Sequence, residues 1–298
     1  MSDRWKSRYS AADTETVSCA LCGSSSSELL AREWSLGIVQ CTQCELVYVS
    51  PRVRDPDKNY WGDEAATEGK YEPIFAGLRR HDRDRNYLEH WNTIRQFKPD
   101  GRVLDVGTHC GFFLRMARGL AWDIQGIEPS PANAELARRK FGLNVTTGYL
   151  RHDTFAPESF DIVTMVDVFE HVTDPLNVLD SVRRVLKPDG ILFLKVPNAA
   201  WNLLKHRVLV RTLQLKGFDI FDAREHVVHY SQKTLAKMLQ ATGFRPLAFY
   251  VPRPIQTGRR WKKAGRWMAQ QLARAQFGAT GTLGPLATDV ACVAEKVA

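Results

Sequence analysis

The chain has no long hydrophobic run. Its apolar stretches, such as Ile191 to Leu194, fall far short of the roughly 20 residues that a membrane-spanning helix needs. Nothing apolar follows Met1-Ser2-Asp3-Arg4-Trp5-Lys6, so no secretory signal is expected. Six cysteines in 298 residues are too few for a disulfide framework, which makes a reducing cytoplasm the expected setting. There is no internal repeat and no long low-complexity tract, which excludes solenoid and collagen-like architectures. With 25% charged and 44% hydrophobic residues, a mostly disordered chain is excluded too.

What the chain has in excess is base: 41 Lys and Arg against 33 Asp and Glu, a net charge of +8. Much of it is local. Arg259, Arg260, Lys262, Lys263, Arg266 and Arg274 stand in a stretch, 259–274, without an acidic residue. Trp261, Ala264, Met268, Leu272 and Ala275 recur at three- and four-residue steps, forming an apolar stripe opposite most of these cations. This reads as a basic amphipathic helix within 257–277. Four readings are open: packing on the domain with a solvated basic face, contact with a phosphate-bearing substrate, peripheral contact with an anionic membrane, and RNA.

Residues 1–17 are polar and read as a flexible N-terminus. Residues 18–50 hold two close cysteine pairs around the loop Ser24-Ser25-Ser26-Ser27. Residues 51–95 open with Pro51, Pro56 and Gly62, turn helical around Phe75 to Phe97, and read as a connector. From Gly101, short apolar runs alternate with amphipathic stretches, the pattern of βαβ units and a parallel sheet. Strands are expected at Arg102–Gly107, Asp123–Glu128, Asn144–Gly148, Phe160–Asp167, Ile191–Pro197, Phe244–Val251 and Asp289–Glu295. Helices are expected at Gly111–Leu120, Pro131–Phe141, Leu176–Leu186 and Ser231–Thr242, with another helical stretch near Trp201–Leu215. Residues 96–298 therefore read as one α/β domain with a basic insertion at 255–287.

Cys19-x2-Cys22 is followed, after eighteen intervening residues, by Cys41-x2-Cys44. Each pair puts two thiolates on one tight turn, and two such turns make a tetrahedral four-sulfur site for Zn2+. Four protein ligands leave no position for water, so the metal reads as structural; a redox dithiol is the competing reading. Cys110 and Cys292 read as small core residues.

The first strand of the α/β region ends in Asp105-Val106-Gly107-Thr108-His109-Cys110-Gly111, and the second in Gly126-Ile127-Glu128-Pro129-Ser130. A strand, a glycine turn and a helix start bring backbone N–H groups to a ligand at the sheet's carboxyl edge. A carboxylate closing the next strand can accept two bonds from a ribose diol. The runs Ser159-Phe160-Asp161-Ile162-Val163-Thr164-Met165-Val166-Asp167-Val168-Phe169-Glu170-His171-Val172 and Leu186-Lys187-Pro188-Asp189-Gly190-Ile191 to Asn198 complete the pattern. In this order the chain resembles the class I S-adenosylmethionine-dependent methyltransferases, nearest the ubiquinone-type O-methyltransferases and the sugar methyltransferases. The cysteine-bearing front end resembles that of bacterial methyltransferases acting on nucleotide sugars and surface glycans. The fold implied is a Rossmann-like, seven-stranded α/β sheet with a small N-terminal zinc ribbon.

The resemblance implies S-adenosylmethionine as cofactor. Asp105, Gly107, Thr108 and Gly111 would line its methionine end, and Glu128, with Pro129 beside it, would hold the ribose. Tyr149 and Leu150 would flank the adenine, and Asp167 and Val168 would lie under the methionine. Where the family often has glycine this chain has His109, which suits a turn with negative φ. No clear acid stands at the usual adenine-amine position unless Asp153 or a carbonyl serves. Glu170 and His171 close the fourth strand, and His171 suits a base or a substrate contact. In ubiquinone-type enzymes the matching set would be a divalent metal site of Asp167, Glu170 and His171. Otherwise Glu170 caps the next helix.

The fifth and sixth strands run parallel to the first four in this fold, so the connectors 198–230 and 252–288 start on the cofactor side. The first carries His226, His229 and Tyr230: either one of these histidines approaches the substrate, or the run docks the Ser-capped helix that follows. Tyr60-Trp61 is a weaker candidate. The expected acceptor is a sugar hydroxyl or carbon on a nucleotide- or lipid-linked glycan. Competing acceptors are a quinone-type phenol and an rRNA or tRNA base, and a non-catalytic cofactor binder is the remaining class. The positive charge is gathered in one connector rather than beside the cysteines, and Val196-Pro197-Asn198 lacks the motif of one class of base methyltransferase. Both features count against nucleic acid.

Overall fold

The computed structural model describes residues 9–55, 64–214, 219–253 and 260–297. Tyr60, Trp61 and Arg259 lie outside the described residues, as do the side chains of Arg260, Trp261, Lys262 and Lys263.

The α/β region is built on seven strands: β6 (Gly101–Val106), β7 (Trp122–Glu128), β8 (Val145–Thr147), β9 (Phe160–Val166), β10 (Leu186–Pro197), β12 (Phe244–Tyr250) and β13 (Asp289–Lys296). Their order across the sheet is β12-β13-β10-β9-β6-β7-β8. Only β13 runs against the rest: it pairs antiparallel with both β10 and β12, so those two are parallel to each other. The chain steps outward from β6 through β7 to β8, then resumes at β9 on the other side. That reversal opens a crevice at the carboxyl ends of β6 and β9, where α/β sheets bind ligands.

The central strands are apolar on both faces because both faces are covered. On one side Leu104, Val163, Met165 and Leu194 pack with Leu179 and Val182 of α4 (Pro175–Val185) and with Leu235 and Leu239 of α6 (Gln232–Ala241). On the other, Val103, Ile162 and Phe193 meet Tyr87, Trp91 and Ile94 of α2 (Asp84–Phe97). Capping sets the helix starts. Ser130 accepts from the Asn133 N–H ahead of α3 (Pro131–Phe141), and Ser231 with Thr234 forms a reciprocal box on α6. Asp174, not Glu170, caps α4.

The helix expected at Gly111–Leu120 is only a 3₁₀ turn, Leu114–Ala117. Gly107, His109 and Gly111 all have positive φ, which delays the helix start, and Gly119 at φ +86 ends it. The stretch near Trp201–Leu215 is a short α5 (Ala199–Lys205) continuing into a π-helical segment, His206–Thr212. The connector's helix α1 (Glu64–Phe75) starts earlier than expected.

The front of the chain forms a second sheet of β2 (Ser27–Glu33), β3 (Leu36–Cys41) and β4 (Val47–Val49). A short pair, β1 (Thr14–Glu15) and β5 (Arg52–Val53), lies beside it. Its fourth strand is β11 (Val228–His229), supplied by the distant connector and paired antiparallel to β4. The four thiols meet at the base: Cys19 Sγ to Cys44 Sγ is 3.4 Å and Cys22 Sγ to Cys41 Sγ is 3.5 Å. All four sulfurs lie within 4.8 Å of one another.

The basic helix α7 (Arg260–Thr280) is present, but its orientation is unusual. Gln270, Ala273 and Arg274 face the domain, where Gln270 donates to the Pro252 carbonyl and Arg274 pairs with Glu89 at 2.6 Å. The predicted apolar stripe points outward: Met268 is 57% and Leu272 60% exposed, with Trp267 beside them at 55%. No helix among the described residues is long and apolar enough to cross a membrane.

Candidate active site

Two adjoining cavities, of about 400 and about 420 Å3, open at the carboxyl edge of the sheet. They share Gly107, Asp167, His171 and Glu225. The first is bounded by Ile127, Glu128, Pro129, Tyr149, Leu150 and Val168. The second is bounded by Arg83, Asp105, Glu170, Lys195, His226 and Asp289, with Thr108 and His109 at the turn. Of the residues expected to bind the cofactor or act in catalysis, Gly111 alone lines neither cavity. A side chain there would strike Leu143, at 2.4 Å, so its glycine serves packing. Asp153 is exposed and lies outside both cavities.

The turn after β6 is built by close approach. Gly107 has φ +74, and a Cβ on it would meet Val168 Cγ2 at 2.4 Å. Its N–H and that of Thr108 both donate to the Ile127 carbonyl, which locks the turn against β7. His109 takes φ +52, not the negative φ expected, and its ring stands edge-on to Tyr71 at 5.9 Å. Histidine enters this region more readily than most side chains. Glu128 is buried, and its two oxygens accept from the His109 and Ser130 N–H groups at 2.8 and 3.0 Å. These bonds fix the carboxylate plane, and a carboxylate offers about four acceptor positions, so a diol can be taken in addition.

At the floor, Lys195 projects from β10 between two carboxylates, 2.5 Å from Asp167 Oδ1 and 2.5 Å from Asp289 Oδ1. Arg83, just ahead of α2, closes on the other oxygen of Asp167. Asp167 itself has φ +56 and is held by its N–H to the Lys195 carbonyl. Asp105 is buried against Thr164, whose hydroxyl donates to it at 2.7 Å, and burial pushes its carboxyl up to about 7.

His171 ends the short turn after β9, and its Nδ1 lies 3.0 Å from the Glu225 carbonyl. The His226 ring stands edge-on to it, centroids 4.7 Å apart. Ligand atoms of Glu170, His171 and His226 all fall within 4.8 Å, an arrangement that can hold a divalent cation. The trio expected from ubiquinone-type enzymes is not the one formed, because Asp167 is engaged by Lys195 and Arg83, and His226 stands in its place. Glu170 Oε2 is buried without a hydrogen-bond partner. Burial and then the Asp167 charge push the Glu170 carboxyl up to about 8. His229 and Tyr230 are buried away from the cavities, Tyr230 stacked on Phe169 at 4.9 Å.

Sequence reasoning missed Arg83, Lys195, Glu225 and Asp289. Lys195 had a signal: one charge inside the apolar strand Ile191-Leu192-Phe193-Leu194-Lys195-Val196. Arg83 had none, since it sits in the charge-dense run His81-Asp82-Arg83-Asp84-Arg85.

With this geometry in view, the comparisons are direct. The family model described as "Methyltransferase domain" matches residues 79–248, more than half of the chain. The chain belongs to that family, and its α/β sheet is that of the class I methyltransferases. Among relatives, the ubiquinone biosynthesis O-methyltransferase of Haemophilus ducreyi is 35% identical over 107 residues, 33% of this chain and 45% of that one. The enzyme of the same name from Neisseria meningitidis serogroup A is 32% identical over 123 residues, 39% of this chain and 52% of that one. The chain thus spans about half the length of the curated relatives it matches. A solved structure from Bacillus halodurans, described as a candidate methyltransferase, is 17% identical with a TM-score of 0.50. It covers 71% of this chain and 99% of its own, and shows the fold alone.

Two outcomes test the site. Gly107→Ala forces a side chain onto Val168 at a left-handed φ and is expected to weaken cofactor binding at least tenfold by calorimetry. An unchanged affinity would place the ligand elsewhere. The carboxyl of Glu170 is raised in the folded state, so the native chain holds a proton there that the unfolded chain releases near pH 4.5. Its contribution to stability is therefore lost as pH rises through about 8. In urea titrations, Glu170→Gln is expected to remove a slope of up to about 1.4 kcal/mol per pH unit below that point. A slope identical to that of the parent contradicts the assignment.

Proposed function

We propose that the chain transfers the methyl group of S-adenosylmethionine to an oxygen of a small-molecule acceptor, with His171 as the base. The observation that carries this is the seat of His171 where the two cavities meet, with Nδ1 against the Glu225 carbonyl. That carbonyl can only accept, so Nδ1 carries the proton and Nε2 is the basic nitrogen of the neutral ring.

The residues fit the cofactor. Gly107 gives close backbone approach, Glu128 suits the ribose diol, and Pro129, Tyr149 and Leu150 wall the adenine side. Asp105, Thr108, Asp167 and Val168 border the methionine side, where Arg83 and Asp167 offer both signs of charge to a zwitterion. Bound there, the cofactor supplies an electrophilic methyl on a sulfonium. The protein's task is alignment of acceptor oxygen, methyl and sulfur, with the reacting atoms about 3 Å apart. His171 takes the hydroxyl proton as the oxygen attacks. Burial and the neighbouring His171 and His229 hold His226 well below its usual range, so it stays a neutral hydrogen-bonding wall.

A phenolic oxygen of quinone type is the acceptor that the relatives' names support. A sugar hydroxyl or carbon is the second reading, favoured by the charged and hydrogen-bonding side chains that line the second cavity. The four cysteines are assigned to structural Zn2+. Bonds of about 2.3 Å in a tetrahedron set sulfurs roughly 3.8 Å apart, near the spacings present here.

The outward face of α7 suits an anionic lipid surface. Trp267, Met268 and Leu272 are exposed together, and the sequence has no acidic residue from 226 to 288. An exposed apolar face on a segment of net positive charge matches acyl chains beneath anionic headgroups. The expected result is sedimentation with phosphatidylglycerol vesicles but not phosphatidylcholine vesicles, abolished by combining Trp267→Ser, Met268→Ser and Leu272→Ser. A dimer by sedimentation equilibrium with no vesicle binding would assign the face to a second copy instead.

The reaction is tested with methyl-labelled cofactor offered to an ortho-diphenol and to a nucleotide sugar. His171→Ala is expected to lower kcat on the order of 100-fold, while cofactor affinity stays within about twofold. Equal losses in both would contradict a role as base.

A further inference from the structure

We propose that the N-terminal cysteine module is the positioning arm of the acceptor side: it holds segment 219–230, and through it the Glu225 carbonyl and the His226 ring, against His171. The proposal rests on reading His171 as the base, and it assigns Glu33 and Trp34 a role that neither motif nor family match suggests.

Three layers of contact carry it. The first is backbone. Val49 N–H of β4 donates to the Val227 carbonyl at 3.0 Å, and β11 continues as a strand of the module's sheet, Val228 opposite Tyr48 and His229 opposite Val47. On its other edge, Val227 N–H donates to the Glu170 carbonyl at 2.9 Å, and the Glu225 carbonyl receives His171 Nδ1. The segment is therefore stitched between the module and the catalytic turn, and its position sets the tautomer of the base.

The second layer is a carboxylate clamp. Glu33, at the tip of β2, accepts from the N–H groups of Ile220, Phe221 and Ala223 at 2.8, 3.0 and 3.4 Å. One carboxylate gathering three donors from four residues fixes a loop as a helix cap does. Trp34 and Ser35 turn the hairpin with φ of 54° and 70°. This brings Trp34 Nε1 within 2.8 Å of Asp219 and sets its ring under the Arg224 guanidinium at 4.3 Å.

The third layer is apolar. Phe221 and Ala223 are fully buried and pack with Leu36, Ile38, Val47 and Val49. The module's core is completed by the loop, so loosening either loosens both. The cofactor groups Gly107, Glu128 and Tyr149 sit in the turn after β6, at the end of β7 and after β8, which none of these contacts touch. Loss of the clamp is therefore expected to disturb the base and spare the cofactor.

The full-length Glu33→Gln and Trp34→Phe variants test this without any acceptor. The first weakens the clamp, and the second removes the indole donor while keeping an aromatic ring in the hairpin. Amide hydrogen exchange at Ile220, Phe221 and Ala223 is expected to quicken at least tenfold in Glu33→Gln, with the β6 and β9 amides unchanged. The 15N shifts of the His171 ring are expected to move from a single tautomer toward a mixture. Calorimetric affinity for S-adenosylmethionine is expected to stay within about twofold. If the three amides keep their protection, or lose it while the His171 and His226 signals stay fixed, the proposal is overturned. Should Glu33→Gln fail to fold, the same readouts on Trp34→Phe decide it in the same way. If instead His171→Ala turns over at the parent rate while Glu33→Gln shifts the ring signals, the coupling stands and the base assignment falls.

Discussion

Lys195 sits in an inner strand of the sheet, buried, with a carboxylate on either side. Removing an ammonium from water costs several kcal/mol, and only close pairing offsets it. Here the pairing also ties three strands together at one edge of the sheet: Asp167 follows β9, Lys195 is near the carboxyl end of β10, and Asp289 begins the antiparallel β13. Arg83 adds the start of α2 to the same cluster. The floor of the crevice is thus a nearly neutral ionic set whose members cannot be removed singly without stranding a buried charge. This explains how a strand end can hold Asp167 at a left-handed φ: the charges on both sides over-determine its place.

Much of the sheet was legible in the sequence, because strands covered on both faces read as short apolar runs between helices with polar faces. Asp105, Glu128 and Asp167 were legible as acids closing such runs. Less legible was anything set by contacts distant along the chain. The left-handed His109 depends on Tyr71 and Glu128 around it rather than on its own propensity. The split of the expected helix after Gly111 follows from where Leu143 and Ala137 pack. For α7 the period of the apolar stripe was right, but periodicity does not say which face the domain takes. Gln270 and Arg274 found partners at Pro252 and Glu89, and these polar bonds turned the apolar side outward.

The front sheet illustrates the same limit. Its cysteine spacing announced a metal-type turn pair, yet nothing in residues 18–50 shows that the fourth strand comes from Val228 and His229. A two-residue strand has little propensity to read. It exists because β4 offers an open edge and because Glu33 gathers the loop just upstream. The packed unit is therefore not the stretch of chain bearing the cysteines alone but that stretch together with 219–230.

The proposed reaction would account for a segment that is largely buried yet hydrogen-bonding. When a sulfonium methyl passes to an oxygen that is losing its proton, the positive charge on sulfur and the developing negative charge on oxygen cancel. A low-dielectric surrounding favours that cancellation, since opposite charges attract more strongly where water does not screen them. In the proposed reaction the base would receive a proton without a strong neighbouring field of either sign. Lys195, Arg83, Asp167 and Asp289 nearly balance at the floor, burial favours a neutral Glu170, and His226 is held neutral. Around His171 the protein has thus placed hydrogen-bonding groups with little net charge, which suits the proposed role of its imidazole in accepting a proton as the methyl is transferred.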